Sequence, residues 1–233
     1  RAAAETPVVT LDAGDFSMGS LFQTIYATDA PELRALGQMG YDVTTLGNHE
    51  FDYRARGLAE MLNAAVDSGD PVPPIVQANY KPPAGDGATR AAWENYGIGD
   101  YVVLERDGVR VAVFGLLGVD ADECAPMSGM EFTPLAQAAQ RVVETIQAQE
   151  AADYIVCLSH SGTTDGKGED YELAKAVDGI DVIVSGHTHS ATQEPIRVND
   201  TLIVSCGEYT RNLGVLTVEK TGEGLDTLDF RLV

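Results

Sequence analysis

Long hydrophobic runs are missing from this 233-residue sequence, and no apolar stretch approaches the roughly 20 residues that a membrane-spanning helix needs. Basic residues are scarce as well, since 15 Lys and Arg face 36 Asp and Glu, giving a formal net charge of −21. This balance argues against nucleic-acid polymers as partners, because clustered positive charge is what binds them. Acidic proteins that bind phosphate groups usually do so through a metal ion.

Cysteine and tryptophan are also rare. Cys124, Cys157 and Cys206 are scattered without a CxxC pair, and an odd count argues against a complete disulfide framework. Cys157 and Cys206 lie in apolar, strand-like runs, so we expect both to be buried free thiols. The single tryptophan, Trp93, is expected to be a local packing anchor.

Short apolar runs rich in β-branched residues alternate with helical patterns, in a chain that is 44% hydrophobic. This alternation predicts an α/β layered fold. The predicted strands are 7–11, 43–46, 74–78, 101–105, 109–117, 154–158 and 182–185, and the predicted helices are 31–39, 54–65, 134–149 and 171–177. The C-terminal third reads as strand and turn. We therefore expect mixed parallel and antiparallel sheets, packed face to face with helices outside.

Local signals set several boundaries. Asp107-Gly108 favours a type I′ turn and predicts a hairpin between the strands on either side. Thr133 and Pro134 are typical of an N-cap and first helical residue. The stretch 81–100 is rich in Gly, Pro and Ala with little periodicity, so we expect a surface excursion there.

All four histidines of the chain lie at the ends of predicted strands, in turns rich in Gly or Ser: His49, His160, His187 and His189. Asp15 occupies the same kind of position in LDAGDF. Ligands bind at the carboxyl ends of strands in open α/β sheets. Carboxylate, carboxamide and imidazole groups suit a borderline divalent cation such as Zn, Mn, Fe or Co. One histidine at a strand end is more often structural, but four together favour a metal site.

Four motifs in order carry a family resemblance: GDFSMG (14–19), GNHEFD (47–52), LSHSG (158–162) and GHTH (186–189). Together they resemble the motifs of calcineurin-like metallophosphoesterases. GNHEFD followed by QANY resembles in particular the catalytic domain of the 5′-nucleotidase and 2′,3′-cyclic-nucleotide phosphodiesterase group. The resemblance covers essentially residues 1–233. It implies a four-layer α/β/β/α sandwich with a dinuclear metal centre at one sheet edge.

The resemblance also implies a metal-ligand set. Asp15 resembles the carboxylate that bridges two divalent metals, and Asn48, His160 and His187 resemble the remaining ligands of one of them. His189 resembles a ligand of the other. The metal stays undetermined among Zn, Mn, Fe, Co, Mg and Ca.

Two further residues resemble catalytic groups. His49 resembles the histidine that stabilises the transition state or protonates the leaving oxygen, and Asp52 resembles the acid that holds this imidazole protonated. Two cations about 3.5–4 Å apart clamp phosphate oxygens and generate a hydroxide nucleophile from water. We assign no role to Glu50, and we interpret Ser161 and Asp165 as parts of a solvated loop.

The sequence departs from the family pattern in two places. Members of the group begin with a strand carrying Asp-x-His, and nothing of the kind stands between residue 1 and LDAGD. We also expect that these 233 residues do not include the second, nucleotide-binding domain of the group. We therefore expect an N-terminally incomplete catalytic domain, its first strand missing, that binds one divalent ion well and a second weakly.

Three functions remain open. The first is a nucleotide phosphoesterase, the second a degenerate homologue that acts as a binding module, and the third a hydrolase of another ester. The expected partner is a nucleotide or other small phosphate ester, and the oligomeric state is left open. By resemblance, the expected location is extracellular, periplasmic or in the cell envelope.

Overall fold

A computed structural model describes residues 6–164, 166–222 and 224–233. Its α-helices are α1 (Tyr26–Asp29), α2 (Pro31–Met39), α3 (Arg54–Ser68), α4 (Gly87–Tyr96), α5 (Val119–Cys124), α6 (Leu135–Gln149) and α7 (Glu169–Ala176). Its strands are β1 (Tyr80–Lys81), β2 (Tyr101–Arg106), β3 (Val109–Leu117), β4 (Glu131–Phe132), β5 (Tyr154–His160), β6 (Val182–Ser185), β7 (Ile196–Val198), β8 (Thr201–Val204), β9 (Gly214–Thr221) and β10 (Gly224–Leu232). Short 3-10 helices span Leu21–Ile25 and His49–Phe51.

The largest sheet has six strands in the order β2-β3-β5-β6-β8-β7. β3, β5, β6 and β8 are parallel, whereas β2 and β7 pair antiparallel at the two edges. The predicted mixed sheet is therefore confirmed. Its parallel strands end together, so the residues that follow β5 and β6 meet at one edge. His160 is the last residue of β5, and the GHTH turn follows β6.

A second, less regular sheet layer covers one face of the first. It consists of three parallel bridges, Leu11 to Val43, Thr44 to Ile75 and Val76 to Gly99, together with the antiparallel pair β9 and β10. Apolar side chains from both layers fill the space between them, including Val43, Val76, Val113, Val156, Leu158, Leu202 and Leu225. The sheets are thus packed face to face.

Helices cover the two outer faces. Helices α6 and α7 pack on the large sheet through residues such as Val142, Ile146 and Leu173. On the other side, Leu58, Leu62 and other residues of α3 pack with α1 and α4 beneath the bridged segments. The four layers follow the predicted α/β/β/α order, because each sheet buries one face against the other sheet and one against helices.

Three of the predicted strands are much shorter than expected. Within 7–11 only Leu11 forms a bridge, and 43–46 and 74–78 contribute two bridging residues each. Polar side chains make hydrogen bonds with the backbone where longer strands would pair with each other. The Thr10 amide donates to the carboxylate of Asp42 at 2.8 Å, and the Thr45 hydroxyl donates to the Val76 carbonyl at 2.7 Å.

The expectation of an irregular excursion over 81–100 is wrong, because α4 lies within it. Asp86 caps this helix by accepting a hydrogen bond from the Thr89 amide at 3.0 Å. Trp93 is 5% exposed and packs with the α3 side of the core, which confirms it as a packing anchor. The capping aspartate was the missed signal.

Helix α6 begins one residue later than predicted, with Pro134 and not Thr133 in the N-cap position. Thr133 is engaged elsewhere, since its amide donates to the Asn79 carbonyl at 2.8 Å. The predicted helices 31–39, 54–65 and 171–177 correspond to α2, α3 and α7, with ends that differ by at most three residues, whereas α1 and α5 were not predicted. The hairpin between β2 and β3 agrees with the prediction, and Asp107 and Gly108 both have positive φ, as a type I′ turn requires.

The three cysteines are free thiols. Cys157 is buried as predicted, but Cys206 is only half-buried and Cys124 is exposed. Among the described residues, no helix has both the length and the apolar character needed to cross a membrane.

Candidate metal centre

The turns at the edge of the sheets hold three of the proposed ligands in an unusual backbone conformation. Asp15, His187 and His189 have φ values of 58°, 72° and 57°. Residues other than glycine rarely adopt this left-handed region, and such strain is concentrated at functional sites. The surrounding structure therefore fixes where these three side chains point.

Two glycines allow the turns to approach each other. A Cβ atom on Gly47 would collide with Oδ1 of Asp15, and one on Gly186 would lie 2.9 Å from Nδ1 of His160. Any larger residue at either position would push the Asp15 and His160 side chains apart. The glycines of GNHEFD and GHTH are thus required by close packing of the site.

Asp15, Asn48 and His160 meet in a compact group. Nε2 of His160 lies 3.0 Å from Oδ2 of Asp15 and 3.2 Å from Oδ1 of Asn48. Nδ1 of the same ring lies 2.7 Å from the Ala13 carbonyl oxygen. Asp15 is held in turn by the His49 amide, which donates to its Oδ1 at 2.8 Å.

These contacts fit a cation. The Ala13 carbonyl can only accept a hydrogen bond, so it orients a proton on Nδ1 of His160. Nε2 faces two acceptor oxygens, from Asp15 and Asn48, so without an ion it shares a proton with Asp15, and a cation would take the place of that proton. A positive ion among these atoms would satisfy all three, in the usual arrangement in which a carbonyl orients a metal-binding histidine. Asp15, His160 and His187 each offer a ligand atom within 4.8 Å of the others.

Electrostatics couples Asp15 to His160. Burial opposes charge on both groups, but their mutual hydrogen bond and attraction outweigh it. The pKa of Asp15 is therefore held below its usual value, and the pKa of His160 is raised. Asp15 and His160 therefore form a charged pair at this edge of the sheet.

His49 and Asp52 lie together beside this group. Nδ1 of His49 is 3.1 Å from both carboxylate oxygens of Asp52, and Gln23 donates to the same carboxylate at 2.9 Å. The side chains of His49 and Asp52 are 31% and 37% exposed. Asp52 thus contacts Nδ1 of His49 and leaves Nε2 of this partly exposed ring free of that carboxylate.

The GHTH histidines each have a carboxylate partner. Nε2 of His187 lies 2.8 Å from Asp120, and its ring centroid is 5.2 Å from that of His160. His189 has Nδ1 2.7 Å from Glu208. Among the described residues, His189 is not part of the group formed by Asp15, His160 and His187.

Glu50 is an organising residue to which the sequence analysis assigned no role. It is fully buried, and its carboxylate accepts bonds from the amides of Gly47, Asp15 and Ser17 at 2.6, 2.9 and 3.0 Å. The Ser17 hydroxyl adds a fourth bond at 2.9 Å. Burial and the nearby charge of Asp15 raise the pKa of Glu50 to about 7. Glu50 therefore ties the GDFS turn to the GNHE turn.

The loop after His160 differs from the expectation at Ser161. This residue is buried and not solvated, and its hydroxyl donates to Asp170 at 2.6 Å. Asp170 is fully buried, which raises its pKa. Asp165, which we also interpreted as a loop residue, lies outside the described residues.

The layered fold is that of a calcineurin-like metallophosphoesterase. Within that class, the chain belongs to the family described as bacterial capsule synthesis protein PGA_cap, whose model matches residues 3–212. The sequence resemblance to calcineurin-like enzymes is thereby confirmed.

Two curated relatives carry nucleotide-related names. The chain is 34% identical over 247 residues to the trifunctional nucleotide phosphoesterase protein YfkN of Bacillus subtilis, covering 95% of this chain and 16% of that protein. It is 33% identical over 191 residues to the probable 5′-nucleotidase of Treponema pallidum, covering 81% of this chain and 29% of that protein. The chain thus spans less than a third of the length of either relative.

A solved structure agrees with the fold. The crystal structure of a 5′-nucleotidase precursor from Thermus thermophilus superposes with a TM-score of 0.78 at 26% identity. The superposition covers 99% of this chain and 45% of that one. The matched fold is therefore one part of a larger protein in that case.

Proposed function

We propose that this chain is the catalytic domain of a metal-dependent phosphoesterase that hydrolyses nucleotide phosphate esters, of the 5′-nucleotidase or 2′,3′-cyclic-nucleotide phosphodiesterase type. The observation that carries the proposal is the meeting of Asp15, Asn48 and His160 at the sheet edge, with the His49–Asp52 pair beside them. Family membership and the names of the two curated relatives support the same class of reaction.

The chain offers ligands of the right chemistry. Asp15, Asn48, His160 and His187 would hold one divalent cation, and Asp15 with His189 would contribute to a second. Bound cations would supply the positive charge that a phosphate needs in this acidic protein, and would acidify water to give the nucleophile. Glu208 would orient His189 through its 2.7 Å contact with Nδ1, leaving Nε2 to face an ion.

His49 would act on the leaving group. Asp52 fixes the ring through Nδ1, so Nε2 is the nitrogen that can donate a proton or a hydrogen bond to the departing oxygen. Gln23 donates a second hydrogen bond to the Asp52 carboxylate at 2.9 Å and would help to keep it in place. General acid catalysis of this kind contributes about 10²–10⁴-fold in rate.

The test is hydrolysis after the protein has been freed of metal by chelation and reloaded with Mn²⁺. Substrates would be p-nitrophenyl phosphate, bis(p-nitrophenyl) phosphate, 5′-nucleotides and 2′,3′-cyclic nucleotides. We expect metal-dependent hydrolysis of at least one nucleotide class. Asp52→Asn should reduce turnover, while Asp67→Asn, the same change on the exposed side of α3, should not.

Three results would overturn the proposal in different ways. No hydrolysis of any substrate with any divalent metal would favour a binding module. Hydrolysis of the nitrophenyl esters without any nucleotide would favour a hydrolase of another ester. Activity that persists fully without metal would remove the proposed centre from the reaction.

We further propose that residues 1–233 act as the catalytic domain of a longer protein that works in the cell envelope or outside the cell. The relatives' greater length and the strongly acidic composition support this. Fractionation of the native host, with detection by an antibody against this domain, would test both parts by the size and location of the reactive protein.

A further inference from the structure

A second group of metal-type donors lies beside the candidate centre, on the outer side of His187. Asp120 and Cys124 are four residues apart on α5, so they lie on the same face of that helix. Oδ2 of Asp120 is 2.8 Å from Nε2 of His187. Ligand atoms of Asp120, Cys124 and His187 all lie within 4.8 Å of one another.

We propose that Asp120, Cys124 and His187 form a separate site, here called the side site, for a borderline divalent cation such as Zn²⁺ or Co²⁺. The donors are a carboxylate oxygen, a thiolate sulfur and an imidazole nitrogen. This mixture is typical of zinc sites and differs from the oxygen-rich sets that select Mg²⁺ or Ca²⁺. Three protein ligands leave a fourth position to water.

The geometry requires only small movements. In a tetrahedral zinc complex with bond lengths of 2.0–2.3 Å, neighbouring donor atoms are about 3.5 Å apart. Atoms now within 4.8 Å of one another can reach that separation by rotation of exposed side chains, since Cys124 is exposed and the Asp120 side chain is 70% exposed. His187 is only 10% exposed and supplies the fixed side of the site.

The surroundings attract cations and admit them. Asp122 and Glu123 lie on the same short helix, and the chain as a whole carries a formal charge of −21. Binding would release the thiol proton of Cys124 to solvent, and the Nε2 proton of His187 would move to Nδ1 through solvent, so that the hydrogen bond between His187 and Asp120 is replaced by one bond from each residue to the ion. No oxidant or other reactant is needed.

His187 links the side site to the candidate centre. A neutral imidazole has one nitrogen lone pair, so His187 can serve one ion at a time. An ion in the side site therefore removes a ligand from the group that contains Asp15 and His160. This consequence, unlike the side site itself, depends on the proposed function: excess zinc should inhibit hydrolysis.

Titration of the metal-free protein with Co²⁺ tests the side site without reference to activity. A thiolate bound to Co²⁺ gives a charge-transfer absorption in the near ultraviolet. We expect this band to appear with saturable dependence on Co²⁺, to be lost in Cys124→Ser, and to remain in Cys206→Ser. Circular dichroism of both variants would confirm that they are folded, and the exposed position of Cys124 makes a folding defect from Ser unexpected.

A wild-type protein without the band, or a band unchanged in Cys124→Ser, would overturn the side site. The inhibition is read separately, by hydrolysis assays in which Zn²⁺ is increased beyond the optimum. We expect Cys124→Ser to need at least about tenfold more Zn²⁺ for the same inhibition, as for loss of other metal contacts. Normal Co²⁺ absorption with no hydrolysis under any condition would leave the side site standing and overturn the proposed function.

Discussion

Replacement of Glu50 by Gln changes one buried carboxylate into an amide of the same shape. Four donors converge on Glu50: the amides of Asp15, Ser17 and Gly47, and the Ser17 hydroxyl. A Gln side chain has only one acceptor oxygen. Its NH₂ group is best placed next to Ser17, where the hydroxyl can turn to accept, but the Ser17 amide then loses its acceptor.

Two effects on stability nearly cancel in this variant. An unpaired buried amide costs about 1–3 kcal/mol. On the other hand, the variant no longer buries the Glu50 carboxylate, whose pKa is raised from 4.5 to about 7. At about 1.4 kcal/mol per pKa unit, that relief amounts to about 3.5 kcal/mol above pH 7. We therefore expect the free energy of unfolding of the metal-free protein to change by less than about 3 kcal/mol.

Metal binding should respond more strongly than stability. Glu50 anchors the amide of Asp15, and loss of a residue that orients a ligand typically reduces metal affinity about 10–100-fold. This corresponds to about 1.4–2.7 kcal/mol of binding free energy. Isothermal titration with Mn²⁺ measures the affinity, and urea unfolding without metal measures the stability.

The control is Glu60→Gln, which makes the same chemical change on the exposed side of α3. It should leave Mn²⁺ affinity unaltered. A Glu50→Gln protein with Mn²⁺ affinity within twofold of wild type would refute the reasoning, because Asp15 would then be positioned without Glu50.

Three further predictions concern individual side chains. His49→Ala should lower turnover about 100-fold or more while bound metal stays constant, because His49 acts on the leaving group and is not a ligand. Asp15→Asn should reduce bound metal first, as measured by elemental analysis, because it removes the charge expected to bridge two ions. Although burial opposes ionisation of Asp100, its bonds with Lys81 and Arg141 at 2.6 and 2.5 Å hold the pKa below the usual 3.8. The stability that Asp100 contributes is therefore present above its unfolded-state pKa and is lost as the pH falls through the lower folded-state pKa. Urea unfolding measured from about pH 6 to about pH 3 should show a weaker loss of stability with acid in Asp100→Asn than in the wild type.

Each of these three predictions has an outcome that would contradict it. Metal content that falls together with activity in His49→Ala would make His49 a ligand. Full occupancy by two metals in Asp15→Asn would contradict the bridging role. An acid unfolding profile of Asp100→Asn that matches wild type would show that the Lys81 and Arg141 contacts add nothing to stability.

The sequence predicts the sheet well where strands are apolar and helices are periodic. β3, β5 and β6 lie where their patterns place them, because burial on both faces leaves a clear apolar signal. Helix α2 lies where it is predicted because Pro31 marks its start and Leu33 and Leu36 supply its apolar side. The segment 7–11 has the same composition, yet only Leu11 pairs. There the Thr10 amide bonds to the side chain of Asp42, while the Thr10 carbonyl accepts from the Asp42 amide. Because Asp42 is distant in sequence, no local pattern reveals that its side chain replaces a backbone partner.

The site is predictable in its residue types but not in its supporting contacts. Motif spacing indicates Asp15, His160 and His187, since strand ends meet at one edge of a parallel sheet. The role of Glu50 depends on amides 33 and 35 residues away, and that of Asp120 on a histidine 67 residues away. Such long-range bonds follow only from the folded arrangement of the turns.

Anomalous X-ray scattering from crystals grown with Mn²⁺ tests the proposed centre most directly. We expect a strong manganese peak within coordination distance of Asp15 Oδ2, Asn48 Oδ1 and His160 Nε2, where the nitrogen now lies 3.0 and 3.2 Å from the two oxygens. Diffraction data that show no peak at this position, with ordered Asp15 and His160 side chains still in direct contact at saturating Mn²⁺, would contradict the assignment of this sheet edge as the metal centre.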